Sequence, residues 1–149
     1  MKQKVCFVLP LLIGLTGCAV REANLHAIDN QGPLSDKART EIANEVRNTF
    51  FDPYSIRDAE VSSAVPTMTL DEKTVYMVCL RANAKNRLGG YTGKRATIFY
   101  FTADWKLFDT NDQDTFGFCS NSRLNWGPFP EIEKIESGKG HTSRSIKPR

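Results

Sequence analysis

The sequence predicts an α+β fold, with one N-terminal amphipathic helix packed on an antiparallel sheet of about four strands and one disulfide. Three observations predict it. Ala38, Ile42, Val46 and Phe50 recur every four residues, with Ala43 beside them, which is helical spacing. From Ile56 onward the apolar residues change to runs rich in Val, Ile, Tyr and Phe, the composition of strands. Two cysteines, Cys79 and Cys119, fall inside that second part.

Each element has a local reason. Ser35 suits an N-cap, and Asp36 puts negative charge in the first turn, where it favours the helix dipole. The helix is expected over 36–51, with Arg39, Glu41, Glu45 and Arg47 facing away from the core. Pro53 closes it, because the residue before a proline, here Asp52, is pushed out of helical geometry. Ile56 to Ser63 alternates weakly and stops before Pro66. Lys73 to Lys85 is the strongest strand signal. Its first half is apolar on both faces, which places it centrally in the sheet. Leu88 to Gly93 is a glycine-rich connection, and Arg95 to Thr102 is the next strand. A tight turn at Ala103-Asp104 leads to a strand over Trp105 to Asp109. Phe116 to Ser120 is expected as a short last strand carrying Cys119, so that the disulfide ties the central strand to the last one.

The chain begins with Met1-Lys2-Gln3-Lys4, a basic start, followed by an apolar run from Val5 to Leu15. That run is too short to span a bilayer as a helix, which takes about 20 residues. It ends in Leu15-Thr16-Gly17-Cys18. This layout resembles the lipobox of bacterial lipoproteins. The resemblance implies a lipidated Cys18 and removal of the segment before it. The other reading is an ordinary secretory signal with a chance cysteine. Two or three acyl chains give stable anchoring, whereas one binds marginally. Ala19, rather than an aspartate, follows the cysteine. By resemblance to enterobacterial sorting, this favours a periplasm-facing position on the outer membrane.

The expected organisation is therefore a signal peptide over 1–17, a flexible tether over 18–34, an α+β domain over 35–136 and a basic disordered tail over 137–149. Losing 17 of 149 residues leaves one domain of a size that can bury a core. The formal charge of +3 becomes +1 without Lys2 and Lys4. Lys139, Arg144, Lys147 and Arg149 place +4 in the tail, so the rest is about −3. That balance gives no case for a nucleic-acid partner. Of the four cysteines, Cys6 leaves with the signal and Cys18 takes lipid. Cys79 and Cys119 are then an even pair in an oxidising compartment and read as a disulfide, two buried free thiols being the alternative. A metal site would need histidine partners near them that the sequence lacks.

The segment Val78-Cys79-Leu80-Arg81-Ala82-Asn83-Ala84-Lys85-Asn86-Arg87-Leu88-Gly89-Gly90-Tyr91-Thr92-Gly93 stands out. Together with Asp52-Pro53-Tyr54-Ser55, it resembles elements of small proteobacterial envelope proteins that carry a strand cysteine, Asn-Ala-Lys-Asn and Gly-Gly-Tyr-x-Gly. Leu80 and Leu88 depart from that pattern, which has a glycine after the cysteine and an aromatic before the glycine pair. The resemblance carries over no catalytic residue. From the residues alone, two readings stand. One is a hairpin connection, with Gly89, Gly90 and Gly93 at positive φ and Asn83 and Asn86 capping backbone groups. The other is a ligand loop, in which Lys85, Arg87, Lys94 and Arg95 flank glycine amides that face an anion. Tyr91 at the loop tip would suit a protein contact or a ligand. The phosphate-loop pattern is missing, so a nucleotide is not expected.

Other constellations are weaker. Asp109 to Asp114 has the look of a calcium loop, but Asp114 stands where the loop needs glycine and Ser120 where it needs glutamate. The two histidines, His26 and His141, fall in the tether and the tail, which leaves no Ser-His-Asp or Cys-His unit. Asp58 and Glu60 on one strand face are candidates for a carboxylate pair of the kind glycosidases use, but one such pair arises by chance in almost any domain. Trp105, Trp126, Phe99 and Phe101 are expected in the core. The leading expectation is a lipid-anchored, non-enzymatic lipoprotein with a structural or interaction role. Its partners would be an envelope protein or peptidoglycan, with no cofactor and no metal. The alternative is a periplasmic module that binds a small anion or cell-wall ligand through Gly89 to Arg95. A cell-wall hydrolase stands third.

Overall fold

The computed structural model describes residues 27–69, 71–114 and 117–133. The expected signal peptide, Cys18, the tail, His26 and His141 lie outside the described residues. The fold is α+β. Helix α1 runs Asp36–Thr49, followed by a 3-10 turn at Pro53–Ser55. The strands are β1 (Arg57–Ser62), β2 (Val65–Met68), β3 (Thr74–Asn83), β4 (Arg95–Thr102), β5 (Leu107–Asn111) and β6 (Trp126–Pro128). A single helical turn, α2, closes the described chain at Pro130–Glu133.

Helix α1 follows its sequence signals. The Ser35 hydroxyl accepts from the Ala38 amide at 3.1 Å, and Ala38, Ile42, Ala43 and Val46 are buried. Phe50 turns extended but still donates its amide to the Val46 carbonyl, so the helix ends two residues before the expected 51. All strand pairings are antiparallel, in the order β5-β4-β3-β1-β6, with β2 also on β3. Strand β3 is central, as its two-sided apolar pattern predicts. Val78, Leu80 and Ala82 face the helices, together with Phe99 and Phe101 from β4. Cys79 faces the other way, with Ile98 and Val65. Burying Phe99 and Phe101 contributes roughly 1.5–3 kcal/mol for each side chain.

The sheet has six strands, not about four. Two short ones were hidden by prolines. Pro66 lies within β2 and Pro128 ends β6, and each of those strands has a neighbour on one side only. An edge strand can hold proline because the missing amide faces outward. Strand β1 pairs with the C-terminal half of β3, and β2 with the N-terminal half. Between them the register slips by one residue: Val61 lies opposite Leu80, whereas Val65 lies opposite Met77. At that slip the Cys79 amide donates to the Ser62 hydroxyl at 2.9 Å, and Ser62 donates on to the Ser63 carbonyl at 2.8 Å. Ser62 is 2% exposed, so its side chain replaces a ladder bond in a dry interior. Ser62→Ala is therefore expected to destabilise by about 1–3 kcal/mol, the cost of an unpaired buried amide. Chemical denaturation would check this, and a change below a few tenths would mean that water reaches the bulge.

Of the strand expected at 116–120, the described residues 117–120 form turns instead. Gly117 has a φ of 66°, and Phe118, Cys119 and Ser120 lie in successive turns. The disulfide Cys79–Cys119 is present, with Cα atoms 5.7 Å apart. It fastens the central strand to this turn rather than to a last strand. A covalent bond holds Cys119 in place without any ladder, so the short run does not need to pair. Phe118, Cys119 and Leu124 thereby cover the second face of the sheet. Ile28 joins them at 1% exposure, and Gly32 bridges to Ala64. Residues 27–34, expected as tether, thus pack on the domain, and residues 27–29 are helical.

Two hairpins share one turn. Thr69-x-Asp71-x-Lys73 and Thr102-x-Asp104-x-Lys106 have the same bonds. In each, the Thr amide donates to the Lys carbonyl, the Lys amide donates to the Thr hydroxyl, and that hydroxyl donates to the Asp carboxylate. The fourth residues, Glu72 and Trp105, sit at φ of 60° and 62°. Trp105 is held there by stacking on Tyr76, with ring centroids 4.5 Å apart. Hydrogen bonds from Lys73 and then Thr69 hold the Asp71 carboxyl at about 2, and the Thr102 hydroxyl likewise lowers Asp104. Both depressed carboxylates favour the turns above their ordinary range, and the Asp71 share is lost as pH falls through about 2. The strand expected over Trp105 to Asp109 starts two residues later, because the turn uses Trp105 and Lys106.

Candidate interaction surface

The glycine-rich connection folds back on the start of β1. Asn86 builds it. Its side-chain oxygen accepts from the Leu88 amide at 2.9 Å and the Gly90 amide at 3.1 Å, and its carbonyl accepts from the Gly89 amide at 2.9 Å. Lys85 bridges to Tyr91 across the loop. Gly89 and Gly93 take φ of 77° and 94°, where a side chain would be strained, whereas Gly90 does not. The hairpin reading therefore holds at Gly89, Gly93 and Asn86. Asn83 plays no capping part: it is buried at the end of β3 and its side-chain oxygen has no partner.

Ser55 ties the loop to the rest. Its hydroxyl accepts from the Lys85 amide at 2.9 Å and donates to the Asp52 carbonyl at 2.8 Å. Its carbonyl accepts from the Tyr91 hydroxyl at 2.9 Å. The Arg57 guanidinium covers the Tyr91 ring 3.7 Å from its centroid, with the Lys85 ammonium 5.8 Å away. Such cation–π contacts contribute about 0.5–1 kcal/mol at exposed positions. The two segments singled out in the sequence, Asp52 to Ser55 and the Gly-Gly-Tyr loop, thus meet. Tyr91 is a clasp more than a free tip, at 37% exposure, while Leu88 projects at 93%.

The predicted site residues do not form an anion cradle. The Gly89 and Gly90 amides are used inside the turn. Lys94 is 2.8 Å from Glu60, an exposed ion pair worth about 0–1 kcal/mol. Glu60 therefore faces a lysine. Asp58, the other candidate carboxylate, sits at φ 54° in a bulge where the strand's alternation is broken, beside Arg57, so each of the two carboxylates has its own cation. Lys85, Arg87 and Arg95 have no acidic partner among the described residues. Among the described residues no three His, Cys, Asp or Glu gather as metal ligands, and Asp109 to Asn111 belong to β5.

Sequence reasoning missed the other half of this end. Phe51 and Tyr54 are 65% and 61% exposed where α1 hands over to β1. With Leu88 they put three large apolar side chains at the end of the sheet where β1 starts, β3 stops and β4 starts. Proximity to Pro53 was a usable signal, because residues stranded between a helix end and a turn have no face to bury. Arg57 had no local signal. Arg81 was missed as well: it stacks on Trp126 at 3.9 Å and donates to the Cys119 carbonyl, fixing the disulfide turn against β6.

Concave sites lie elsewhere. One open groove of 230 Å³ runs between Leu34, Arg39, Ser63 and Trp126, and another of 300 Å³ runs along α1 between Asp36, Arg39, Arg47 and Glu131. Arg39 lines both and is bound to Glu131 at 2.7 Å, and Arg47, which lines the second, donates to the Asn44 side-chain oxygen at 3.1 Å. The fold and site define a disulfide-braced α+β domain with exposed basic and aromatic side chains at one end. Comparison with family models, with curated proteins and with solved structures finds no match.

Proposed function

We propose that the chain is a lipid-anchored envelope lipoprotein whose domain has a non-enzymatic interaction role, working through the end around Tyr91. One observation carries the reading. Exposed Leu88, Phe51 and Tyr54 stand beside the unpaired cations Lys85, Arg87 and Arg95 on a loop locked by Ser55 and Asn86. Large apolar side chains on a rigid projection favour contact with another body. The anchor is proposed from Leu15 to Cys18, with the outer membrane as its site and an envelope component as the partner. Residues 19–26 would then be the length of chain between lipid and packed domain, short enough to keep the domain near the surface.

Two measurements test this. Cys18→Ser is expected to abolish palmitate labelling and leave the precursor uncleaved; normal labelling and maturation would refute the anchor. A photo-crosslinking residue at Leu88 is expected to capture an envelope component in cells, and one at Met68, which is also exposed but lies at the far end of β2, is not. Equal capture at both positions would refute the site. The ligand-loop reading is second. It retains the cations but loses the amide cradle.

A further inference from the structure

We infer that the Tyr91 end seats on an anionic phospholipid surface, with Leu88, Phe51 and Tyr54 entering the headgroup region. This rests on the interaction role proposed for that end and names its partner. Shape comes first. Ligand sites are concave, whereas Leu88 projects at 93% exposure and neither of the two grooves described is lined by residues of its loop. A bilayer needs no cleft. It needs apolar tips that penetrate a few ångströms, with cations around them.

The residues fit that arrangement. Leu88 is the outermost large apolar side chain, 93% exposed. Phe51 and Tyr54, at 65% and 61%, are aromatics of the type that settles at the membrane–water boundary. Arg87 precedes Leu88, Lys85 lies at the base of the same loop, and Arg95 starts β4. Long basic side chains there can reach lipid phosphates while their stems stay beside the apolar tips. The loop over 83–95 carries Lys85, Arg87, Lys94 and Arg95 and no acid. Of the acids around it, Glu60 is bound to Lys94, Asp58 lies beside Arg57 and Glu133 accepts from the Ala59 amide. Lys85, Arg87 and Arg95 have no acidic partner among the described residues, so the tip that carries Leu88 suits an anionic surface. The opposite end sets Asp36, Asp71, Glu72 and Asp104 among Lys37, Lys73 and Lys106 and has no comparable run of one sign. The Tyr91 clasp makes the insertion rigid: Ser55, Arg57 and Lys85 hold the loop before any contact, so little order has to be gained on binding.

The test places an environment-sensitive fluorophore at Leu88→Cys or, as a control, at Met68→Cys. Both are made in the full chain with Cys6→Ser and Cys18→Ser, which leaves Cys79 and Cys119 in their disulfide. With phosphatidylglycerol vesicles the label at position 88 is expected to brighten and shift to the blue, and the label at 68 is not. Phosphatidylcholine vesicles are expected to give little signal at either position. Lys85→Gln with Arg87→Gln is expected to weaken the response at 88 by at least tenfold, since each cation near such a surface is worth about fivefold. Equal responses at 88 and 68, or equal responses on neutral and anionic vesicles, would overturn the inference. Silence on both vesicles, with crosslinks still captured at Leu88 in cells, would overturn it in favour of a protein or peptidoglycan partner and leave the interaction role standing. Silence in both experiments would remove the role as well.

Discussion

Replacing Cys79 and Cys119 together by alanine is expected to lower stability by about 4 kcal/mol, from the entropy regained by an unfolded loop of 40 residues. For a domain of this size that corresponds to a melting temperature lower by on the order of 15 °C or more. Both sulfurs are fully buried, so a modest packing loss adds to the chain-entropy cost. The bridge also holds a layer. Phe118 and Leu124 cover Ile98 and Val65 through a segment with no strand to secure it. Without the bond, that cover depends on Arg81, through Trp126 and the Cys119 carbonyl. Thermal melts followed by circular dichroism would measure the effect. A drop of only a degree or two would mean that Arg81 and the apolar contacts suffice. Thiol titration of the unreduced protein is expected to find neither cysteine free.

Phe129→Ala is expected to cost about 3–5 kcal/mol, the range for emptying a large buried aromatic site. Phe129 is fully buried among α1, β1 and α2 side chains, and its amide donates to the Ala59 carbonyl at 2.9 Å. Arg39 lies over the ring, 5.0 Å from its centroid, and is itself paired with Glu131. Losing the ring therefore removes core volume and frees α2 together. Phe108→Ala is the control. Phe108 is 52% exposed on β5, with a tilted contact to Tyr100, so its loss is expected to cost about 1 kcal/mol or less. Denaturant titration of both variants would decide, and similar losses would contradict the assignment of Phe129 to the core.

These two residues mark what the sequence could and could not reveal. Helix α1 was legible because Ala38, Ile42 and Val46 keep one period over its whole length, with Ser35 and Pro53 as punctuation. Strand β4 was legible residue for residue, since Arg95 to Thr102 lies between a glycine loop and a tight turn. Phe129 was not, because it follows Gly127 and Pro128 in a stretch that looks like a loop. A strand of three residues has no period to detect. Pro66 misled for a related reason: it ends strands in a sheet interior, and only the topology places β2 at an edge. The disulfide pair was legible from the cysteine count and the oxidising compartment expected for it, but the structure around Cys119 was not, because a covalent bond removes the need for pattern.

At the site, the cations and Tyr91 were visible and their bonding was not. Arg57 stacks on Tyr91 from 34 positions away, and Ser55 reaches Lys85 from 30. Contacts that long leave no trace in a local window. The glycine count suggested a cradle, and the decisive residue was Asn86, whose side chain takes the amides that an anion would need.

The fork at Gln31 has a mechanical consequence. Its amide nitrogen donates to the Arg123 carbonyl and its oxygen accepts from the Asn125 amide, each at 2.8 Å, while Asp29 pairs with Arg123. A pull on the chain ahead of Ala27 therefore loads the segment just before β6 together with Ile28, which is buried against Cys79 and Val65. Two hydrogen bonds and an ion pair share that load with the apolar contacts of Ile28. A domain moored by its N-terminal end would carry the strain at this rivet, through bonds separate from those of Ser55 and Asn86 that clasp the loop.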